Sequence, residues 1–340
     1  MWCNRMPNND KKHFSDERIV NLPGDLEFYK REIDPFLPDR IYDAHTHIWK
    51  PEFYPFTDHS VDWNDYLKDM KQIHGDRPTY AMFIPFIGKE SLGFQLEANE
   101  WAAQQKDAHH FNRCNFFVKP EDDPDWILEH ASRLGATGLK CYHTMAQTVP
   151  SWEADIQAFL PENQVRLCHE QGWFITLHIV KKDALANDAN IECIRYYCEK
   201  YPQMQLILAH SGRAFQPSHN LRGLPKLRGL QNLWFDSSAN CEPLAHQAIF
   251  RILGHERFMY GCDYPVSHLR GRSLGVADSF LWLYEDTPVW GEKHAQINPV
   301  LVGLEHLRSL KWACWSEKLS DNQVEDVFWN NAARLFQIQN

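Results

Sequence analysis

Short apolar runs of five to eight residues, separated by polar or amphipathic stretches, set the rhythm of this chain. Eight of them read as β-strands: "IYDAHTH" (41–47), "YAMFIPF" (80–86), "NFFVKP" (115–120), "TGLKCYH" (137–143), "WFITLHI" (173–179), "LILAH" (206–210), "LWFDSSA" (233–239) and "FMYGCDYP" (258–265). Several are almost continuously apolar, as parallel strands covered on both faces must be. The stretches between them carry helical spacing and helix stops. "DWILEHASRLG" ends at Gly135, "IQAFLPENQVRLCHEQG" at Gly172, "IECIRYYCEKYP" before Pro202 and "PLAHQAIFRILG" at Gly254. Two further helical patterns, 298–319 and 321–339, close the chain.

Eight strands alternating with helices predict an α/β fold of the (β/α)8 TIM-barrel type, although an open doubly wound sheet uses the same alternation. No internal repeat, low-complexity tract or linker divides the chain. Residues 1–40 are expected to form an N-terminal extension on the outside of a single barrel domain over 41–340.

A barrel carries its chemistry at the C-terminal ends of its strands. The first strand ends in His45 and His47, two residues apart and therefore on one side of a strand. Asp43 belongs to the approach of that strand. The fourth strand carries Lys140, with His143 just beyond; the fifth ends in His178, the sixth in His210 and the eighth in Asp263. Taken singly, each has an ordinary explanation as a core histidine, a turn-forming aspartate or a solvated lysine. Their convergence on one rim points to a divalent metal. Imidazole and carboxylate ligands suit zinc or a similar transition ion. His45, His47, His178 and Asp263 are the expected ligands, with His210 behind them or polarising substrate. Such an ion would bring the pKa of bound water to near 7.

The formal charge of −10 and pI near 6.0 argue against general affinity for nucleic acid or anionic membrane. The nine cysteines show no C-x-x-C pairing, which fits free thiols in a reducing compartment. The polar N-terminus lacks the apolar segment of a signal peptide, and no run suffices for a membrane span, so a soluble cytoplasmic protein is expected.

"DAHTH", "GLK", "TLH", "LAHSGR" and "YGCDYP", in that order at strand ends, with the closing "VFWNNAARLF", resemble the amidohydrolase superfamily, in its amidohydrolase-2 branch. The resemblance spans roughly residues 41–338. It implies a TIM barrel with His45, His47 and His178 as ligands, Asp263 as ligand or proton shuttle, and His210 assisting. Lys140 occupies the strand on which some members carry a carboxylated lysine bridging two metals. One zinc with Lys140 contacting substrate is the favoured reading; manganese or a two-metal site with carboxylated Lys140 is the alternative.

The branch includes hydrolases and non-oxidative decarboxylases. The first reading is hydrolysis of a small carboxylated lactone, amide or ester through metal-activated water, with Asp263 as general base and then acid. The second is decarboxylation of an aromatic or enol-like acid, with Asp263 protonating carbon. A third is an inactive, metal-stabilised binding protein. Arg213, Arg270 and Arg272 lie near the rim in sequence and suit recognition of a substrate carboxylate. Trp49, two residues past His47, is the candidate pocket wall. A homodimer is possible by analogy with relatives of this fold.

Overall fold

The computed structural model describes residues 22–55, 57–287 and 298–339. Its framework consists of parallel strands in two sheets. The first holds β1 (Ile41–Ile48), β2 (Thr79–Pro85) and β3 (Arg113–Cys114). The second runs in sequence order through β4 (Phe116–Phe117), β5 (Gly138–Cys141), β6 (Phe174–Leu177), β7 (Gln205–Leu208), β8 (Leu233–Asp236) and β9 (Phe258–Met259). The run expected at 115–120 is thus preceded by a short strand of its own, and Asn115 sits at the break. Its backbone N–H donates to the Phe83 carbonyl at 2.9 Å and joins the two sheets.

At the other margin, Ala44 donates to the Tyr260 carbonyl at 2.9 Å and His47 to the Tyr264 carbonyl at 3.0 Å. Asp263 returns a bond to the His45 carbonyl at 2.8 Å. The first strand therefore lies beside the segment that follows the last. This pairing brings the histidines of β1 and Asp263 together although 218 residues of sequence separate His45 from Asp263.

Helices cover the strands where the periodicity predicts them: Pro124–Arg133, Glu162–Gln171, Asp188–Lys200 and Pro243–Leu253, with Val302–Ser316 near the end. Their boundaries have local causes. Asp123 caps the first of these helices by accepting from the backbone N–H groups of Asp125 and Trp126, a contact worth about 1 kcal/mol. Gly172, at φ 65°, ends the second in the left-handed conformation that glycine adopts most easily. Two more helices, Trp63–His74 and Gln95–Lys106, fill the first two crossovers. Buried Phe83, Phe116, Phe117, Leu139, Leu177 and Leu208 belong to the main core between strands and helices. Each such side chain contributes roughly 1.5–3 kcal/mol by leaving water.

Of the expected extension, residues 1–21 lie outside the described residues. Pro23–Phe28 and Tyr29–Ile33 form helical turns against the helix Val302–Ser316, where Lys311 Nζ donates to the Glu32 carbonyl at 2.8 Å. Eight cysteines are free and buried, and Cys3 lies outside the described residues. Burial pushes the thiols of Cys114, Cys141, Cys193, Cys198, Cys241 and Cys314 up to about 12.

An antiparallel hairpin, β10 (Gly271–Val276) and β11 (Ser279–Tyr284), follows Asp263 and was not anticipated from the sequence. Alternation along β11 puts Phe280, Trp282 and Tyr284 on one face. Phe280 and Trp282 pack on Phe215, with ring centroids 4.8 and 5.5 Å away.

Candidate metal centre

His45 and His47 project to the same side of β1, their ring centroids 5.2 Å apart. Asp263 reaches toward both: its Oδ1 is 3.2 Å from His47 Nε2 and 3.8 Å from His45 Nε2. Its Oδ2 is 3.9 Å from His210 Nδ1. Ligand-type atoms of His45, His210 and Asp263 all lie within 4.8 Å of one another, and all three residues are buried. His178 adjoins this group through His210, with ring centroids 4.7 Å apart. The geometry thus draws His210 into the tight group, where the sequence reading had it behind the ligands.

The backbone at the rim is unusual. His210 (φ 57°), Arg213 (φ 55°) and Asp263 (φ 59°) are all left-handed, a conformation that costs a non-glycine residue of order 1–3 kcal/mol. Specific hydrogen bonds hold it. The His210 N–H donates to Asp236 Oδ1 at 2.9 Å, and Asn240 Nδ2 donates to the His210 carbonyl at 3.2 Å. These turns aim the side chains inward at the ends of short strands.

Burial lowers the His45 imidazole to about 4; Lys140 adds to this effect, while Asp236 and Asp263 oppose it. His178 is pushed well below its ordinary range, again mainly by burial. Burial alone would raise Asp263, but His210, His47 and His45 together hold it below the usual carboxylate range. His45 and His178 are thus held toward the neutral form and Asp263 toward the carboxylate, the protonation states that a cation needs from its ligands.

The donor set fits a divalent ion. Tyr142 Oη donates to the Pro85 carbonyl at 2.9 Å and lies 3.3 Å from His47 Nδ1. With that hydroxyl proton engaged, the tautomer in which His47 Nδ1 donates to Tyr142 is the one that turns a lone pair on Nε2 toward Asp263 Oδ1, as a shared cation requires. Two ligands of a tetrahedral ion at ordinary metal–ligand distances are roughly 3.3 Å apart, close to the observed 3.2 Å.

The remaining residues singled out by sequence divide into two groups. Lys140 is buried in the centre, its Nζ 3.4 Å from His45 Nε2. Arg213 donates to the Lys181 carbonyl at 2.8 Å and lies 5.4 Å over the Phe280 ring. It has no ion pair within 4 Å among the described residues, and burial lowers it to about 10. His143 Nδ1 is 3.1 Å from Ser151 Oγ, and its ring is 5.6 Å from that of His178.

Arg270 and Arg272 are turned to structural work, a correction to the reading that gave them substrate. Arg270 closes on buried Asp25 with bonds of 2.9 and 2.6 Å. Arg272 donates to the Cys241 carbonyl at 3.0 Å and lies 3.6 Å from Glu305. Trp49 is likewise no open wall: it is fully buried, stacks on Tyr264 and donates to Thr57 Oγ1 at 2.8 Å. Phe86, stacked 4.6 Å from His47, has the position expected of Trp49.

Sequence reasoning missed Asp236 and Ser238. Asp236 Oδ2 is 2.9 Å from His45 Nδ1, and Ser238 Oγ is 2.9 Å from His210 Nδ1. A signal existed, since "LWFDSSA" ends an apolar strand in an aspartate just as "YGCDYP" does.

Imidazoles and a carboxylate gathered at the ends of parallel strands in an α/β fold characterise the metal-dependent amidohydrolase class. The chain belongs to the amidohydrolase family, whose model matches residues 42–338. No curated protein matches it significantly. Among solved structures, it is similar to a Pseudomonas putida protein provisionally described as a 2-pyrone-4,6-dicarboxylic acid hydrolase. They share 17% identity over 89% of this chain and 100% of that one, with a TM-score of 0.54. A Burkholderia multivorans amidohydrolase with bound zinc gives 14% identity, 88% and 100% coverage, and a TM-score of 0.54. A Novosphingobium aromaticivorans 5-carboxyvanillate decarboxylase, complexed with manganese and 4-hydroxy-3-methoxy-5-nitrobenzoic acid, gives 14%, 88%, 96% and 0.55. At these identities the likeness is one of fold.

Proposed function

We propose that the chain is a zinc-dependent hydrolase of a small carboxylated lactone, amide or ester, built as one closed (β/α)8 barrel over 41–340 with the centre at its mouth. The convergence of His45, His210 and Asp263 within 4.8 Å carries this reading. The backbone bonds joining β1 to the segment after β9 support ring closure.

His45, His47, His178 and Asp263 would hold the ion, with His210 near enough to join them or to act on substrate. When bound, the ion supplies Lewis acidity that acidifies water and polarises an oxygen. The chain does the rest. Asp263, ringed by imidazoles, takes the proton of the attacking water and returns it to the leaving group. His210, beside Asp263, orients the reacting part of the substrate. Lys140 and Arg213 receive the substrate carboxylate, and Phe86 and Phe215 give its apolar part a surface.

Decarboxylation is the second reading, favoured by the aromatic wall of Phe215, Phe280 and Trp282 beside Arg213, which suits a ring bearing a carboxylate. Hydrolysis comes first because the imidazoles around Asp263 favour its base form. The test is metal analysis followed by turnover of carboxylated lactones and aromatic acids by wild type and Asp263→Asn. About one zinc per chain, lactone opening, and loss of at least roughly 100-fold in the variant are expected. Carbon dioxide release with lactones untouched would establish the second reading; absence of metal would end both.

A further inference from the structure

Asp236 and Ser238 occupy the turn leaving β8, and each reaches two histidines of the centre. Asp236 Oδ1 accepts from the backbone N–H of His210 at 2.9 Å, the N–H of Ser238 at 3.1 Å and the Ser238 hydroxyl. Its Oδ2 faces His45 Nδ1 at 2.9 Å. Ser238 Oγ is also 3.3 Å from His45 Nδ1. The Ser238 hydroxyl has one proton, and Asp236 Oδ1 receives it. The proton between Asp236 and His45 must therefore come from the imidazole.

His210 obeys the same logic. Its Nδ1 lies 3.0 Å from the Ser238 carbonyl oxygen, which only accepts, and so carries the hydrogen. We propose that Asp236 and Ser238 act as a tautomer lock. The turn fixes both imidazoles with hydrogen on Nδ1, leaves the lone pair of His45 on Nε2, and so prepares the centre for a cation before one arrives. Asp236 is then a positioning residue. It also ties down the left-handed backbone of His210, so one carboxylate sets the ring state of β1's histidine and the chain path after β7.

The inference rests on the metal reading only for its purpose; the hydrogen positions are a property of the metal-free chain. An orienting carboxylate behind a ligating histidine commonly changes metal affinity by 10–100-fold. Asp236→Asn is nearly isosteric. Three donors meet at Oδ1, so the asparagine oxygen will take that place and its NH2 will face His45. His45 Nδ1 must then accept, and its hydrogen moves to Nε2, the atom turned toward Asp263 and Lys140.

The test uses the full chain labelled with 15N-histidine, the His45 signals being assigned by their absence in His45→Gln. Long-range 1H–15N spectra of metal-free wild type are expected to show His45 protonated on Nδ1, and those of Asp236→Asn on Nε2. Zinc titration should show affinity weakened roughly 10–100-fold in Asp236→Asn. In Ser238→Ala, where the carbonyl contact to His210 remains, the change should stay under about three-fold, well short of that range. Hydrogen on Nε2 in wild type overturns the lock, even if the asparagine variant fails to fold. Unchanged zinc affinity in a folded Asp236→Asn does the same. Wild type that shows the Nδ1 form but takes up no zinc sinks the metal reading and leaves the lock standing, so the two failures are distinct.

Discussion

The Lys140 ammonium stands 3.4 Å from Nε2 of His45, fully enclosed by the strand ends. A buried cation there repels an incoming divalent ion and attracts an anion. Lys140→Met keeps the stem and removes the charge. Zinc affinity should hold or tighten, while affinity for a probe carboxylate such as succinate should fall about ten-fold, measured by calorimetry. A fall in zinc stoichiometry would instead identify Lys140 as a ligand in carboxylated form.

The Arg270–Asp25 pair makes a different prediction from the substrate role first read into Arg270. Asp25 is 1% exposed, so Arg270→Ala leaves a buried carboxylate without its main partner. Losses near 3 kcal/mol are usual for such a break, and calorimetry should show Tm falling by several degrees. Activity per folded molecule should be nearly unchanged. A raised KM with unaltered Tm would return Arg270 to the site.

His74 sets a pH dependence. Burial lowers its imidazole to about 3, with His268 and Arg77 adding to the effect. It sits between Thr79 Oγ1 at 3.1 Å and the Tyr260 hydroxyl at 2.8 Å. The unfolded chain binds its proton near pH 6.5, whereas the folded chain stays neutral there. The neutral-form advantage is complete above pH 6.5 and shrinks as pH falls toward 3, by at most about 1.4 kcal/mol per pH unit. Urea unfolding at pH 7 and 5 should show a smaller acid loss in His74→Gln than in wild type. Equal losses would show that the proton goes elsewhere.

Phe280→Ala removes the ring lying 5.4 Å under the Arg213 guanidinium and packed on Phe215. Binding of isophthalate should weaken by roughly 3–10-fold, the worth of one aromatic contact. Succinate binding and zinc content should not move. Equal weakening of both anions would mean that the hairpin only supports Arg213.

The apolar runs made most of the framework legible, because buried parallel strands need continuous apolar sequence and helix stops need glycine or proline. His45, His47, His178, His210 and Asp263 were legible only as a set, since each alone reads as a core or turn residue and only their recurrence at successive strand ends does not. Asp236 has the same signature but falls inside the apolar run 233–239, where it reads as part of the strand. The fate of Arg270 was not readable at all: its partner lies 245 residues away, and no local pattern distinguishes a guanidinium that binds substrate from one that ties down a helix. The hairpin was hidden for another reason. Its alternation of Phe280, Trp282 and Tyr284 is clear, but it falls after the last expected strand, outside the β–α rhythm.

The enclosed thiols have a practical consequence. All eight described cysteines are buried as free groups, spread from Cys114 to Cys314 across strands, turns and helices. A thiol held both out of reach and in its protonated form does not meet an alkylating reagent until the chain around it opens. Each is therefore a timer wired to its own neighbourhood. Peptide-resolved alkylation rates would chart which parts of the molecule breathe first, and whether zinc slows Cys262, next to Asp263, more than Cys314 on the closing helix.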